Sequence, residues 1–179
     1  MGAPARTRLA AAALAAAAAL APAAAGAQPL ETQVKAAFLA KFAAFASWPP
    51  GTLEGAPVLR ICVVGRNPFA GALDGAVRGQ TVSGRPLTVV RLAEVDRGSG
   101  CHVMYASGSD RQSAAQALAA VRGQPVLTVT DAARGGARGM IHFVVFEERV
   151  RFYVDLAEAQ RSGLGLSSKL LSVALTVKR

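Results

Sequence analysis

The chain has 179 residues, is 52% hydrophobic and carries a formal net charge of +9. This length suits one domain with a sizeable core. The basic residues are spread out without forming a block, so a solvated basic surface explains them more simply than a polyanion site. Nucleic acid is excluded as a partner because the sequence has neither an aromatic and basic ladder nor finger spacing.

Residues 1–27 have the layout of a cleaved secretory signal peptide. Two arginines precede an apolar run of Ala and Leu, and Ala25-Gly26-Ala27 supplies the small residues of a cleavage site. A membrane anchor is the alternative, but Pro22 interrupts the weakly apolar run and no second span follows. We therefore expect export, and a single mature domain over residues 28–179 without a membrane span.

Cys62 and Cys101 are the two cysteines of the chain. In an oxidising compartment they are predicted to form a disulfide. The alternative, a metal site, would have to recruit His102 and His142 as its other ligands. The chain-entropy model gives a stabilisation of about 4 kcal/mol for a loop of this size. Folding is therefore expected to depend on oxidation.

Helices and strands are predicted to alternate after the signal segment. The predicted strands cover residues 58–64, 87–90, 101–106, 125–130, 140–146 and 150–156, and the predicted helices cover 31–46, 69–77, 110–121, 157–162 and 167–175. Asn67-Pro68 is expected to begin the second helix and Ser109 to cap the third. Residues 131–139 are rich in Gly and Arg and read as a loop.

This order predicts an α/β fold with a single domain. We expect a largely parallel central sheet of five to six strands flanked by helices, with a C-terminal antiparallel hairpin. If the first four strands follow the order 2-1-3-4, the strands that carry Cys62 and Cys101 are neighbours and the disulfide joins them.

A search for catalytic motifs finds none. Gly65-Arg66-Asn67-Pro68 follows a strand but lacks the later glycines of a dinucleotide fingerprint and the Lys of a phosphate loop. No serine lies in a Gly-x-Ser-x-Gly motif. His102 and His142 read as ordinary strand residues, and Glu147-Glu148 as a solvated turn. The prediction is a protein without enzymatic activity, cofactor or metal.

Binding features are more promising than catalytic ones. The candidate partner or ligand contacts are Trp48, Asn67, Asp131, Arg134, Arg138, Arg151, Phe152, Tyr153 and Lys169. Trp48 either plugs the end of the first helix or offers a ligand platform. The arginines and the two aromatic residues lie around a loop and an edge hairpin, where partners commonly dock. A pocket near Asn67, Ser107 and Asp131, closed by Trp48, is the alternative.

Four segments resemble the YfiR-like periplasmic family, in the same order along the chain. They are Val34-Lys35-Ala36-Ala37-Phe38-Leu39 with Phe42, Phe45 and Trp48-Pro49; Arg60-Ile61-Cys62-Val63-Val64-Gly65 with Asn67-Pro68-Phe69; Cys101-His102-Val103; and Arg151-Phe152 through Leu166-Ser167-Ser168-Lys169-Leu170-Leu171. Each motif is weak alone, but their joint order and the shared cysteine pair are specific.

The resemblance implies a periplasmic α/β domain, often a homodimer, that binds the periplasmic region of a membrane-anchored diguanylate cyclase and represses it. Repression would lower cyclic-di-GMP and biofilm formation. Cys62 and Cys101 fall where the family has its structural disulfide, whereas the second cysteine pair that some members carry near the C-terminal hairpin is missing here. The alternative functions are a small-ligand sensor that serves another envelope receptor and, third, a hydrolase with an unfamiliar site.

Overall fold

The computed structural model describes residues 27–179. The predicted signal peptide lies outside the described residues except for Ala27, which begins the first helix. Within the described part of the chain, no helix combines the length and the apolar character that crossing a bilayer requires.

Five helices and ten strands make up the described fold. The helices are α1 (Ala27–Phe45), α2 (Ala72–Val77), α3 (Ala114–Ala120), α4 (Leu156–Arg161) and α5 (Ser168–Ser172), and Ala132–Arg134 forms a 3-10 turn. The strands are β1 (Ala46–Ser47), β2 (Leu59–Gly65), β3 (Thr81–Val82), β4 (Arg85–Leu92), β5 (Val103–Gly108), β6 (Leu127–Asp131), β7 (Ile141–Phe146), β8 (Arg149–Asp155), β9 (Gly165–Leu166) and β10 (Thr176–Lys178).

Eight of these strands form one mixed sheet in the order β10-β8-β7-β6-β5-β2-β4-β3. The five from β7 to β4 run parallel, while β8 is antiparallel to β7 and β3 is antiparallel to β4. The α/β class, the single domain and the C-terminal hairpin are confirmed, as is the 2-1-3-4 order. The expectation of a largely parallel sheet of five to six strands is wrong, because the sheet is mixed and the short strands β3 and β10 extend it at its two edges.

The two faces of the sheet are covered differently. On one face α1 packs with α2 and α5 over the main core, in which Phe42 lies 5.5 Å from Phe143 and 5.0 Å from Phe152 between ring centroids. On the other face α3 packs mainly against β5 and β2, over Cys62 and Met104. The β6 to β8 part of this second face lies beside α3.

The third helix begins later than expected, and Ser109 is not its cap. Ser113 caps α3: its hydroxyl accepts from the Gln116 backbone N–H, and the Gln116 side chain accepts from the Ser113 backbone N–H. Ser109 instead accepts from two backbone N–H groups in the preceding turn. Likewise the Asn67 side chain caps a turn at Phe69 rather than the helix itself.

The neighbouring strands β2 and β5 end in two glycines that face each other. Gly65 and Gly108 both have left-handed backbone, with φ of +88° and +74°. A Cβ atom on Gly65 would lie 2.5 Å from the carbonyl oxygen of Gly108. The backbones of the two strands therefore approach more closely than any side chain would allow.

Candidate functional site

A disulfide joins Cys62 on β2 to Cys101, which lies two residues before β5, and the Cα atoms are 5.7 Å apart. This separation is typical of protein disulfides. Two hydrogen bonds run beside it: the His102 N–H donates to the Arg60 carbonyl, and the Arg60 N–H donates to His102 Nδ1, both at 3.0 Å. The predicted pairing is confirmed, and it fastens two central neighbouring strands.

A buried ionic cluster lies where the parallel strands end, under α1. Lys35 is only 5% exposed, and its Nζ donates to Asp131 Oδ2 at 2.6 Å and to Glu31 Oε1 at 2.5 Å. The Tyr105 hydroxyl donates to the same Asp131 oxygen at 3.2 Å, and the Ala133 N–H donates to Asp131 Oδ1. Burial raises the pKa of Tyr105, and the Asp131 carboxylate adds to this shift.

The sequence interpretation named Asp131 but missed Lys35. A signal for it was present, because Lys35 lies four and seven residues before Leu39 and Phe42 and so shares their apolar helix face. A charged side chain on such a face needs a buried partner. In the structure, the Asp131 carboxylate is occupied by partners within the protein and is not presented to a ligand.

The alternative pocket near Asn67, Ser107 and Asp131 is not assembled as expected. Asn67 is exposed in its turn, and the Ser107 hydroxyl is buried without a hydrogen-bond partner in the described residues. Trp48 packs edge-on to His102, 6.4 Å between centroids, at the start of β5, whereas Ser107 lies near the end of that strand. Trp48 therefore does not close this pocket, and its place beside the core matches that of a packing residue.

The C-terminal hairpin extends beyond its neighbouring strands. Strand β6 pairs with β7 only as far as Phe143, and β10 pairs with β8 only from Tyr153 onwards. Residues 144–151, which we call the hairpin tip, therefore form a two-stranded ribbon. Val145 and Phe146 in this tip are 53% and 48% exposed.

The other candidate residues of this region fall in different environments. Phe152 is buried in the aromatic core and does not face solvent. Arg151 is half-buried opposite Val144 in the hairpin tip. Arg138 lies over the Tyr153 ring, with the guanidinium carbon 5.4 Å from the ring centroid.

Two further basic candidates lie elsewhere on the surface. Arg134 is exposed at the end of the 3-10 turn. Lys169 lies in α5 with its Nζ 5.9 Å from the Phe45 ring centroid. Across residues 27–179, no three His, Cys, Asp or Glu side chains gather in a way that could hold a metal ion.

The fold and these contacts define a single mixed-sheet α/β domain that is fastened by one central disulfide. Residues 32–175 match the family model described as YfiR/HmsC-like (DUF4154). The chain belongs to this family, which confirms the resemblance seen in the sequence. No curated protein matches the chain.

Proposed function

We propose that this protein is a periplasmic, non-catalytic regulator that binds the periplasmic part of a membrane-anchored diguanylate cyclase and represses it. The observation that carries the proposal is the YfiR/HmsC-like match over residues 32–175, since this family consists of periplasmic regulators. The Cys62–Cys101 disulfide supports the location, because such bonds persist in oxidising compartments. Repression lowers cyclic-di-GMP and biofilm formation.

The hairpin tip is the surface that we assign to the partner. It projects from the sheet, exposes Val145 and Phe146, and carries Arg149 and Arg151 beside them. Exposed apolar groups on unpaired strand edges are typical docking points, and arginine is enriched in interfaces. The matching surface on the cyclase is apolar, and the polar contacts around it are of both signs, because the tip carries Glu147 and Glu148 as well as the two arginines. Binding represses the cyclase by favouring its inactive conformation.

The first test is a single substitution in the hairpin tip, Phe146→Asp. Because Phe146 is half-exposed, the charge should change the free energy of unfolding little. It should nevertheless abolish binding to an apolar partner surface. We expect a strain that carries this variant to have the raised cyclic-di-GMP of the deletion strain, while wild-type protein restores the low level.

Val173→Asp is the matched control, because Val173 is 52% exposed but belongs to the end of α5 and not to the hairpin. This variant should repress like wild type. Equal loss of repression in both variants would contradict the assignment of the hairpin tip. Unchanged cyclic-di-GMP in the deletion strain would contradict repression itself.

The partner can be identified by capture of the tagged protein from its own envelope under non-reducing conditions, followed by mass spectrometry. We expect a membrane protein with a cytoplasmic cyclase domain to be recovered with wild type and Val173→Asp. The same protein should be missing from the Phe146→Asp sample. Recovery of an unrelated receptor with this pattern would support the hairpin tip as the binding surface but would contradict the cyclase as the partner.

A further inference from the structure

A groove of about 810 Å³ opens on the β6 to β8 part of the second sheet face. Its floor includes Thr128 on β6, His142 on β7 and Tyr153 on β8, and the last two are register partners. The α3 helix contributes Ala115 and Leu118 to the lining, α4 contributes Glu158 and Arg161, and β10 contributes Lys178. This volume is in the range of small-molecule sites.

The backbone beside Arg138 is fixed by two threonine hydroxyls on β6. The Gly139 N–H donates to Thr130 Oγ1 at 2.9 Å, and the Met140 N–H donates to Thr128 Oγ1 at 3.0 Å. A Cβ atom on Gly139 would lie 2.9 Å from the Thr128 carbonyl oxygen, so the loop lies directly against the strand. Arg138 therefore projects over the groove from a rigid support, with its guanidinium against Tyr153.

The groove has an excess of positive charge. Its two acidic side chains are already paired, Asp155 with Lys178 at 2.8 Å and Glu158 with Arg161 at 2.6 Å. The other two cations of the lining, Arg122 and Arg138, form no ion pair within residues 27–179. Charge complementarity therefore favours an anion.

His142 adds a buried polar group to this floor. The residue is 4% exposed, and its Nδ1 lies 2.8 Å from Thr130 Oγ1, which leaves Nε2 without a hydrogen-bond partner in the described residues. Burial lowers the pKa of His142 and the Arg138 charge adds to this, while Asp131 opposes it. The stacked neighbour is Tyr153. An imidazole in this position can donate one hydrogen bond to an acid group.

We propose that the groove binds a small organic anion, a carboxylate or phosphate ester, whose acid group contacts Arg138 and His142. The apolar part of the ligand lies toward Leu118 and the α3 wall, and Arg122 adds positive charge at the rim. This inference is independent of the cyclase proposal. It gives the protein a ligand site at the end of the hairpin strands opposite to the hairpin tip.

Isothermal titration of the oxidised protein tests the site with three probes. Two are organic anions, 2-naphthoate and phenyl phosphate, and the third is 2-naphthamide, the neutral counterpart of the first. We expect at least one anion to bind with a stoichiometry of one per chain and the amide to bind at least about tenfold more weakly, since a charged hydrogen bond is lost. Equal binding of amide and naphthoate, or no binding by either anion, would overturn the proposal.

Arg138→Met should weaken binding of the anion about tenfold or more, because it removes the guanidinium whose N–H groups bind the acid group. Arg111→Met is the matched control: it removes the same charge from an exposed position that does not line the groove. Its affinity should equal that of wild type. Equal weakening in the two variants would mean that only the overall charge of the protein attracts the anion, which would refute the site.

The two histidines of the chain provide a second readout. An anion that contacts His142 should raise its pKa, measured by the imidazole NMR signals during a pH titration. His102 lies beside Trp48, outside the groove, and should keep its pKa. Shifts of both histidines, or of neither, at saturating anion would contradict the proposed contact.

Discussion

Lys35 shows how one side chain ties the first helix to the sheet. Its ammonium bridges Glu31 on the same helix and Asp131 at the end of β6, and both Lys35 and Asp131 are buried. The Tyr105 hydroxyl completes the cluster. A buried pair of this kind adds little net stability against an apolar alternative, but breaking it leaves a charge without a partner.

We expect Lys35→Met to lower the free energy of unfolding by about 3–5 kcal/mol, because it leaves the buried Asp131 carboxylate without its cationic partner. The double variant Lys35→Met with Asp131→Asn should regain part of this loss, since the charge is then gone. Glu31→Gln, at the partly exposed end, should cost less than about 1 kcal/mol. Urea unfolding measures all three, and equal small losses would contradict a buried cluster.

Burial also depresses the pKa of both histidines below the ordinary value of about 6.5. For His102 the charges of Arg60 and Arg85 add to burial, and for His142 that of Arg138 adds. A group whose pKa is lower in the folded state binds its proton more readily in the unfolded chain. The folded protein is therefore favoured above pH 6.5 and loses this stability as the pH falls.

We accordingly expect the free energy of unfolding to decrease between pH 7.5 and pH 5, above the usual range of carboxylate titration. His102→Asn can still accept the Arg60 N–H but does not titrate, so its profile should be flatter than that of wild type. Urea unfolding at pH 7.5, 6.5 and 5.5 measures the slope. Identical profiles for variant and wild type would refute the contribution of His102.

At the scale of elements, the sequence predicted the alternation and the strand order but not every boundary. The start of α3 depends on Gln112, whose amide bonds both the N–H and the carbonyl of Val95 and holds residues 109–112 in a turn. A local pattern contains no trace of that distant contact, so Ser109 was predicted as the cap and the helix was expected to begin too early. Strand β10 has only three residues, too few for a recognisable sequence pattern. It forms by pairing with residues 153–155 at the free edge of β8.

The disulfide is the element-scale contact with the largest predicted effect. Cys62→Ser or Cys101→Ser should lower the free energy of unfolding by about 2–5 kcal/mol, because the strands β2 and β5 lose their crosslink. The double variant should resemble either single variant, and its thermal midpoint should not respond to reductant. Equal thermal midpoints of oxidised and reduced wild type would contradict this stabilising role.

At the scale of the whole molecule, the two proposed binding regions use the same pair of strands. The hairpin tip, residues 144–151, extends at one end, and His142 and Tyr153 form the groove floor at the other. The sequence indicated an edge hairpin with arginines and aromatic residues. It could not show that Phe152 packs in the core whereas its neighbour Tyr153 lies on the opposite face of the sheet, in the groove floor. That separation comes from the sheet, which turns alternate residues of β8 to opposite faces.

The groove itself could not be predicted from the sequence, because no motif marks it. It exists because α3 leaves part of the second sheet face uncovered. Helix α3 is only seven residues long and packs mainly on β5 and β2. The polar residues of β6 to β8 are therefore left beside it, and the loop with Arg138 lies over them. Only the assembled sheet brings Arg122 and Arg138 to the same cavity.

The contact between Gly65 and Gly108 has an evolutionary consequence. Either position could mutate to alanine by a single base change, yet both positions require a left-handed conformation. The new methyl group would also meet the Gly108 carbonyl from position 65, or the Ala114 backbone nitrogen from position 108. Neither change can rescue the other, since each new methyl group meets a different stretch of main chain. Descendants of this gene should therefore keep both glycines even where the hairpin tip diverges to follow a different partner.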